Sequence, residues 1–363
     1  MFTMRVRPWW VLLVPLLCGA CTGLQVAVAT PILPEDKVSP YPQPQVAQPW
    51  WPGQFQKGIQ VYWHINGPDS SLQQTATQDL NYIVGLGANS VGISFPIYTD
   101  GATPTRVYVG PETPSIHSLS IVLAAAKARK LRVMLRPLIE ETNIKGAGQW
   151  RGTIEPPGNT AWFADYDRLL VGYAQLAQQY GVEELVAATE LSSLQSQTAQ
   201  WTALNEQIQA AGYAGVVSYA TNWNKFTPMP FQALGLDAYV PVYVGDDATI
   251  AQLTDALAAW FNQLPLSERQ ILTVQEVGIP ALSGAYTHPW LWGASTGVIN
   301  TVVQANWFTA SCQATKATQI VGIYYWMLDS NNDNPLRPDV TRQSSTSWVG
   351  RPAEQSIERC FSA

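Results

Sequence analysis

The sequence predicts an α/β protein built as a single (β/α)8 TIM barrel. From about residue 56 to the C-terminus, eight apolar segments of strand length alternate with helical patterns or long loops. Two of these segments have the composition of strands buried on both faces, and each ends in a glutamate, as catalytic strands of α/β barrels do. No Gly-x-Gly-x-x-Gly turn is present, which favours a closed barrel over a dinucleotide-binding open sheet.

Each strand and helix is predicted from the period of its apolar residues. The clearest helix spans 162–180, where aromatic residues and leucines recur at helical spacing over nearly five turns. The first helix is expected from about Ser71, because Ser71-x-x-Gln74 has the form of a capping box. The predicted strands are, in order, 58–64, 90–96, 131–137, 184–190, 215–220, 234–240, 271–278 and 320–326. The other predicted helices are 116–126, 198–211, 250–264 and a closing helix from about Pro352.

The first 55 residues are predicted to lie outside the barrel, which we assign to residues 56–363. Residues 1–29 have the form of a signal peptide, since Arg5 and Arg7 precede an apolar run that is too short to span a bilayer. Cleavage is expected either before Cys21, as in a lipoprotein, or after an Ala-x-Ala site at 27–29; we favour the lipid anchor slightly. Residues 30–55 are rich in proline and form the expected linker. The protein is therefore predicted to be exported, and to be secreted or lipid-anchored at the cell envelope.

The cysteines predict one disulfide bond in the mature protein. Cys18 is removed with either cleavage and Cys21 is removed or lipidated, so Cys312 and Cys360 remain as a pair. Outside the cytoplasm such a pair is expected to be oxidised, closing a loop of 48 residues and contributing about 4 kcal/mol on the chain-entropy model. The three histidines are scattered without zinc-type spacing, so we predict no metal site and no cofactor.

The composition favours an uncharged ligand. Charged residues make up 13% of the chain, about half the usual fraction, whereas there are 15 Trp and 15 Tyr. A net charge of -6 gives no electrostatic footprint for nucleic acid. We therefore expect a monomeric extracellular protein that binds a ring-shaped ligand, although many of these aromatic residues will belong to the core.

Glu190 and Glu276 are the predicted catalytic residues. They follow the fourth and seventh predicted strands, so in a closed barrel both face the same mouth. Two carboxylates about 5 Å apart on either side of a sugar suit retaining glycoside hydrolysis. Glu190 would be the acid/base, with its pKa raised by apolar surroundings and by the second carboxylate, and Glu276 would be the ionised nucleophile. The alternative for any single rim glutamate is an ordinary salt bridge.

Five short motifs resemble glycoside hydrolase family 113, within the larger clan of retaining β-glycosidases. They cover nearly the whole barrel, and the threonine before Glu190 agrees with that family, whereas the wider clan has asparagine there. The resemblance implies a TIM-barrel endo-β-1,4-mannanase that acts on a polysaccharide or oligosaccharide. The motifs are Trp150-Arg151-Gly152, Thr189-Glu190-Leu191, Tyr219-Ala220-x-Asn222-Trp223, Asp237-Ala238-Tyr239-x-Pro241 and Glu276-Val277-Gly278.

The resemblance also suggests roles for three polar residues. Asn222 would hydrogen-bond a sugar hydroxyl near the reacting centre. Tyr239 would donate to the nucleophile and hold it ionised. Arg136 would lower the nucleophile's pKa by its positive charge, or would simply pair with Glu140 or Asp237.

The resemblance further suggests that three tryptophans are sugar platforms. Trp326, at the end of the eighth strand, would form the floor under the reacting sugar, while Trp150 and Trp223 would stack on neighbouring sugars. Their alternative role is ordinary packing beneath loops.

Two other functions remain open at this point. One is hydrolysis of another β-glycan, such as a cell-envelope polysaccharide. The other is a non-catalytic, envelope-tethered barrel that binds glycans or scaffolds proteins, because fold does not fix function. A cleft plugged by the long loop 99–114 would favour the non-catalytic barrel.

Overall fold

The fold is a closed barrel of eight parallel strands, seen in a computed structural model that describes residues 45–144, 149–158, 160–291, 297–338 and 347–362. Each strand pairs with the next along the chain, and β1 pairs with β8 to close the barrel. The predicted single TIM barrel is confirmed. The strands are β1 (Gln56–Tyr62), β2 (Ser90–Asp100), β3 (Arg132–Thr142), β4 (Glu184–Thr189), β5 (Val216–Asn222), β6 (Ala233–Asp237), β7 (Leu272–Val277) and β8 (Gly322–Asp329).

Helices surround the barrel and connect most of the strands. The helices are α1 (Asp69–Gly85), α2 (Ile116–Ala128), α3 (Thr160–Gln179), α4 (Thr198–Ala210), α5 (Ile250–Phe261), α6 (Leu266–Arg269), α7 (Thr301–Ala317) and α8 (Pro352–Ser362). Between β5 and β6 the described chain has only a 3-10 turn, Trp223–Lys225. No described helix has the length and apolar character needed to cross a membrane.

Several elements differ from the sequence-based predictions, and most strand ends shift by one to three residues. Helix α1 begins at Asp69, so the expected capping box at Ser71 lies inside the helix and caps nothing. Strands β2 and β3 run four and five residues further than predicted, because they stay paired as far as Asp100 and Thr142. Helix α7 was not predicted, since its few large apolar residues, among them the adjacent Trp307 and Phe308, stand among polar and small residues with no clear helical period.

The core has two parts. A small apolar cluster lies inside the barrel and draws one residue from each of four strands: Met134, Val186, Ala220 and Tyr324. A much larger cluster lies between the strands and the helices. Buried polar side chains also join the strands, as where Gln275 donates to Glu184 at 2.8 Å, and polar side chains at the carboxyl ends of the strands line the mouth of the barrel.

The predicted disulfide between Cys312 and Cys360 is present. It joins α7 to α8, with the two Cα atoms 6.0 Å apart. Both helices pack beside β8, so the bond fastens the C-terminal helix to the barrel.

The N-terminal segment is described only from residue 45. Residues 45–55 form no helix or strand, and the Ala47 amide donates to the Arg129 carbonyl at 2.9 Å. The predicted signal peptide, both cleavage sites and Cys21 lie outside the described residues.

Candidate active site

A cavity of about 640 Å³ opens at the carboxyl ends of the strands. Seven of the eight residues that the sequence nominated for catalysis and sugar binding line it: Trp150, Glu190, Asn222, Trp223, Tyr239, Glu276 and Trp326. The eighth, Arg136, is fully buried just beneath the cavity and contacts Glu276. The barrel therefore brings the whole predicted set together from β3, β4, β5, β6, β7 and β8 and their loops.

Glu190 follows β4 directly and is held by strand β5. Its backbone N–H donates to the Ala220 carbonyl at 2.8 Å, and the Asn222 side-chain amide donates to its Oε1 at 2.7 Å. The register between β4 and β5 shifts just before this point, between Val186 and Ala188. Glu190 has a φ of 54°, a left-handed conformation that costs a non-glycine residue on the order of 1 kcal/mol. The local fold thus accepts strain to aim this carboxylate into the mouth.

The surroundings of Glu190 favour its protonated form. Burial raises the pKa of Glu190 most, and the nearby Glu276 raises it further. Arg151, Arg136 and the Asn222 hydrogen bond act in the opposite direction, and the balance brings the pKa to about 7. At neutral pH this side chain can therefore both give and accept a proton.

Glu276 sits in a different environment. Arg136 donates to its Oε1 through Nη1, and the Tyr239 hydroxyl donates to its Oε2 at 2.7 Å. The other terminal nitrogen of Arg136 binds both oxygens of Asp237, at 2.8 and 3.0 Å. One buried guanidinium thus holds two carboxylates, while Glu140 pairs with Arg151 rather than with Arg136.

Aromatic side chains form two walls of the cavity. Trp326 lies over the Arg136 guanidinium, 5.7 Å from the ring centre, and lies 6.0 Å from the ring of Tyr62. On the other side Trp223 stacks on Trp290, with ring centroids 6.0 Å apart and planes 22° apart. Flat apolar faces with a few converging polar groups are the usual surface for a small ring-shaped ligand.

Sequence reasoning missed six lining residues: Tyr62, Glu140, Arg151, Asn224, Trp290 and Met327. Tyr62 is the last residue of β1, but the predicted strand ran on to residue 64, so the rule that strand ends line the mouth did not select it. Arg151 stood inside a quoted motif without a role. Trp290 lies in the long loop after β7, where no period or motif marks it.

The long loop 99–114 does not plug the cavity. Part of it belongs to β2, and the chain then returns so that Tyr108 pairs with Tyr98 as an antiparallel bridge. None of its residues lines the cavity. Among the described residues, the condition that would favour a non-catalytic barrel is therefore not met.

Comparisons with known proteins agree with this arrangement. The model of glycoside hydrolase family 113 matches residues 61–337. A solved GH113 β-1,4-mannanase superposes with a TM-score of 0.70 at 22% identity, covering 85% of this chain and 99% of that one. The GH113 β-mannanase AaManA from Alicyclobacillus acidocaldarius, in complex with ManMIm, gives 0.69 at 20% identity over 85% and 97%. A β-D-glucuronidase from Dictyoglomus thermophilum gives 0.58 at 11% over 85% and 50%. None of the curated proteins compared with the chain matches it.

A closed (β/α)8 barrel with two carboxylates in one aromatic-lined mouth, matched by a glycosidase family model, defines the class of protein as a glycoside hydrolase. Within that class, the chain belongs to glycoside hydrolase family 113.

Proposed function

We propose that this glycosidase hydrolyses β-1,4-linked mannan with retention of configuration, using Glu190 as acid/base and Glu276 as nucleophile. The contrast between the two carboxylates carries the proposal. Glu190 is buried, receives one side-chain hydrogen bond and has a pKa of about 7, whereas Glu276 is bound by a cation and a phenol. Different environments for two carboxyl groups in one cavity are what separate an acid from a nucleophile.

In the first step Glu276 forms a bond to the anomeric carbon while the bond to the leaving oxygen breaks. Glu190 gives its proton to that oxygen, so the leaving sugar departs as a neutral alcohol. Arg136 and Tyr239 fix the Glu276 oxygens through their hydrogen bonds, which orients the carboxylate for attack. The product is a covalent glycosyl-enzyme and an ionised Glu190.

In the second step water enters from the side that the leaving group vacated. Glu190, now ionised, takes a proton from the water as its oxygen attacks the anomeric carbon, and the bond to Glu276 breaks. Both glutamates return to their starting states. Two inversions at one carbon give net retention.

The remaining predicted residues have places in this scheme. Asn222 donates one amide hydrogen to Glu190, and we propose that its second amide hydrogen binds a hydroxyl of the reacting sugar. Trp326 supports the reacting sugar, while Trp150 and Trp223 stack on its neighbours. We favour mannan over other β-glycans as the substrate because the GH113 structures that resemble this fold are those of mannanases.

The test is a comparison of the mature protein with its Glu190→Gln and Glu276→Gln variants on β-mannan, glucomannan, β-glucan and xylan. We expect mannan to be cut, both variants to lose about 10²–10⁴-fold in kcat/KM, and the first product seen by proton NMR to keep the β configuration. If only another β-glycan were cut, the result would favour the alternative function, which is hydrolysis of a β-glycan other than mannan. Binding without cleavage would favour the non-catalytic barrel, and activity that survives both substitutions would refute the two-glutamate mechanism.

We also propose that the protein is exported and acts at the cell envelope. The Cys312–Cys360 disulfide supports an oxidising compartment, where such bonds persist. Fractionation of cells, with mass spectrometry of the mature N-terminus, tests this proposal. A lipid-modified Cys21 that disappears in Cys21→Ala would establish the anchor, whereas an N-terminus near residue 30 in the medium would establish secretion.

A further inference from the structure

Arg151 is the second arginine of the mouth and has no assigned role in the scheme above. It begins a 3-10 turn, Arg151–Thr153, in the loop after β3, and its side chain lines the cavity together with Glu190. Its Nη2 lies 3.5 Å from Oε1 of Glu140, on the rim end of β3. The side chain is only 18% exposed, so its charge acts inside the site rather than in solvent.

The turn that carries Arg151 is rigidly built. The Thr153 hydroxyl donates to the Trp150 carbonyl at 2.9 Å and accepts from the Trp150 amide at 3.1 Å. Gly152 is required there, since a Cβ atom would lie 2.4 Å from the Trp150 ring. Arg151 is therefore held in position by its own loop.

The same loop is fastened to the segment that follows Glu190. The Ser193 hydroxyl donates to the Ile154 carbonyl at 2.6 Å, and the Ser192 amide donates to the Glu190 carbonyl at 2.8 Å. These two bonds link the turn of Arg151 to the backbone of Glu190. The fold thereby fixes the backbone of Arg151 relative to that of Glu190.

Several charged and titratable groups act on Glu190, and Arg151 is distinct among them. Arg136 already makes hydrogen bonds to two carboxylates, Asp237 and Glu276, so much of its charge is neutralised at close range. Arg151 has the longer 3.5 Å contact with Glu140, and it opposes the rise in the pKa of Glu190 more than Arg136 does. The groups that face Glu190 come from β3 and its loop, β5, β6 and its loop, and β7: Arg136, Arg151, Tyr219, Asn222, Asp237, Tyr239 and Glu276.

We propose, on the basis of the two-glutamate function above, that Glu140 and Arg151 form a positioning pair that sets how tightly Glu190 holds its catalytic proton. Arg151 stabilises the ionised Glu190 that exists while the glycosyl-enzyme is present. Glu140 withdraws part of that effect by sharing the cation. The pair therefore sets the pH above which Glu190 no longer carries the proton that it gives to the leaving group.

The two members of the pair should shift the pH profile in opposite directions. Glu190 must be protonated in the first step, so the alkaline limb of kcat/KM reports its ionisation. Arg151→Gln removes a nearby cation and should move this limb up by about one pH unit, and Arg151→Lys should recover most of the shift. Glu140→Gln removes the carboxylate that shares the Arg151 cation with Glu190, so it should move the alkaline limb down by about half a pH unit.

A surface ion pair of the same types provides the control. Arg168 and Asp165 lie 3.2 Å apart on α3, and the Arg168 side chain is 66% exposed. Arg168→Gln and Asp165→Asn should leave both limbs of the profile unchanged, because solvent screens this pair.

Direct titration separates this proposal from the function on which it rests. Carbon-13 NMR of the glutamate carboxyls, with Glu190→Gln to assign the signal, follows the ionisation of Glu190 without any substrate. If the wild type cuts no glycan but the titration still moves with Arg151→Gln and Glu140→Gln in opposite directions, the pair is upheld and the proposed function fails. If the Glu190 titration is unchanged in Arg151→Gln, the proposed pair is refuted. If Arg151→Gln and Glu140→Gln shift the titration in the same direction, Glu140 only holds Arg151 in place, and the proposal that Glu140 weakens the effect of Arg151 on Glu190 is refuted.

Discussion

The two ends of the barrel interior contain the same residue types in different environments. We call the amino ends of the strands, around Arg132 and Glu184, the closed end, and the mouth with its cavity the open end. Arg132 and Arg136 lie four residues apart on β3, and each binds carboxylates of other strands. At the closed end, Arg132 donates to Glu184 at 2.6 Å and to the Tyr324 hydroxyl at 3.0 Å. The other Glu184 oxygen accepts from Ser218 on β5 and from Gln275 on β7, across the barrel interior.

At the open end the carboxylates outnumber their close cations. Arg136 serves both Asp237 and Glu276, and Glu190 receives one side-chain hydrogen bond, from Asn222. A buried carboxyl group with few donors prefers to keep its proton. At the closed end the polar groups therefore bind one another, whereas at the open end the Glu190 and Glu276 carboxyl groups line a cavity that a ligand can enter.

Breaking the closed network should have the largest effect on stability. Arg132→Gln leaves Glu184 buried without its cation, so we expect the free energy of unfolding to fall by about 3–5 kcal/mol. Urea unfolding measures this loss. The kcat of the folded fraction should stay within about threefold of wild type, because Arg132 does not line the cavity.

Arg132→Lys keeps the charge and should lose less, and Arg168→Gln on the surface should change stability by no more than about 0.5 kcal/mol. If Arg132→Gln lost activity in its folded fraction but not stability, the assignment of the closed end as a structural network would be wrong.

Replacing Glu190 at the open end should stabilise the protein rather than destabilise it. Glu190 has a pKa of about 7 in the folded protein against an ordinary value of 4.5, so the folded state holds this proton more tightly than the unfolded chain does. Its contribution to stability is present below pH 4.5 and is lost as the pH rises through about 7. Glu190→Gln should therefore leave stability nearly unchanged at pH 5 and raise it by about 1–3 kcal/mol at pH 8.

Thermal or urea unfolding at the two pH values measures this gain. Glu184→Gln is the matched control at the closed end, and it should destabilise the protein because it replaces one of the two acceptor oxygens of Glu184 and leaves the buried Arg132 without its anion. A Glu190→Gln variant that is less stable at pH 8 would contradict the open-end description.

The contrast between the ends also explains which features the sequence could predict. Strand positions and both mouth glutamates follow from apolar runs that end in a carboxylate, as at Thr189-Glu190. Arg136 also lies on a predicted strand, and in the structure it contacts Glu276 and Asp237, whereas Glu140 pairs with Arg151 instead. Local pattern is sufficient where the barrel geometry is regular.

The sequence could not predict how the loops fold or which residues far apart along the chain become partners. The Glu140–Arg151 contact depends on how the loop after β3 folds back, and Trp290 reaches the cavity from a loop without periodicity. Glu184 begins the strand that ends before Glu190, yet nothing in its neighbours distinguishes a network residue from an exposed one. Its partners lie 34, 52 and 91 residues away.

A smaller effect at the open end should come from Tyr239. Its hydroxyl donates to Glu276 at 2.7 Å, so Tyr239→Phe removes one of the two side-chain donors, Arg136 and Tyr239, that bind Glu276. We expect kcat/KM to fall by about 10–100-fold, or roughly 1.4–2.7 kcal/mol of transition-state stabilisation. Tyr325→Phe removes a hydroxyl that donates to the Phe308 carbonyl, away from the mouth, and should leave kcat/KM unchanged. Equal losses in the two variants would mean that Tyr239 acts only through stability.

The smallest effect should come from the outer aromatic wall. Trp290 is 37% exposed and stacks on Trp223, so it extends the apolar surface on one side of the cavity. Trp290→Ala should raise KM for long manno-oligosaccharides by about 3–10-fold, since one aromatic contact contributes about 1 kcal/mol. Its kcat on a short aryl mannoside should not change. Trp51→Ala is the matched control, because Trp51 is also exposed but lies outside the cavity.

The length dependence of the Trp290 effect tests the comparison more sharply than its size. If the open end is organised around a sugar chain, the loss must grow with the number of sugars and disappear when no sugar reaches the wall. If Trp290→Ala instead lowered kcat on every substrate, the loop after β7 would be supporting Glu276 or its neighbours. The outer wall would then resemble the closed end, where side chains hold one another rather than the ligand.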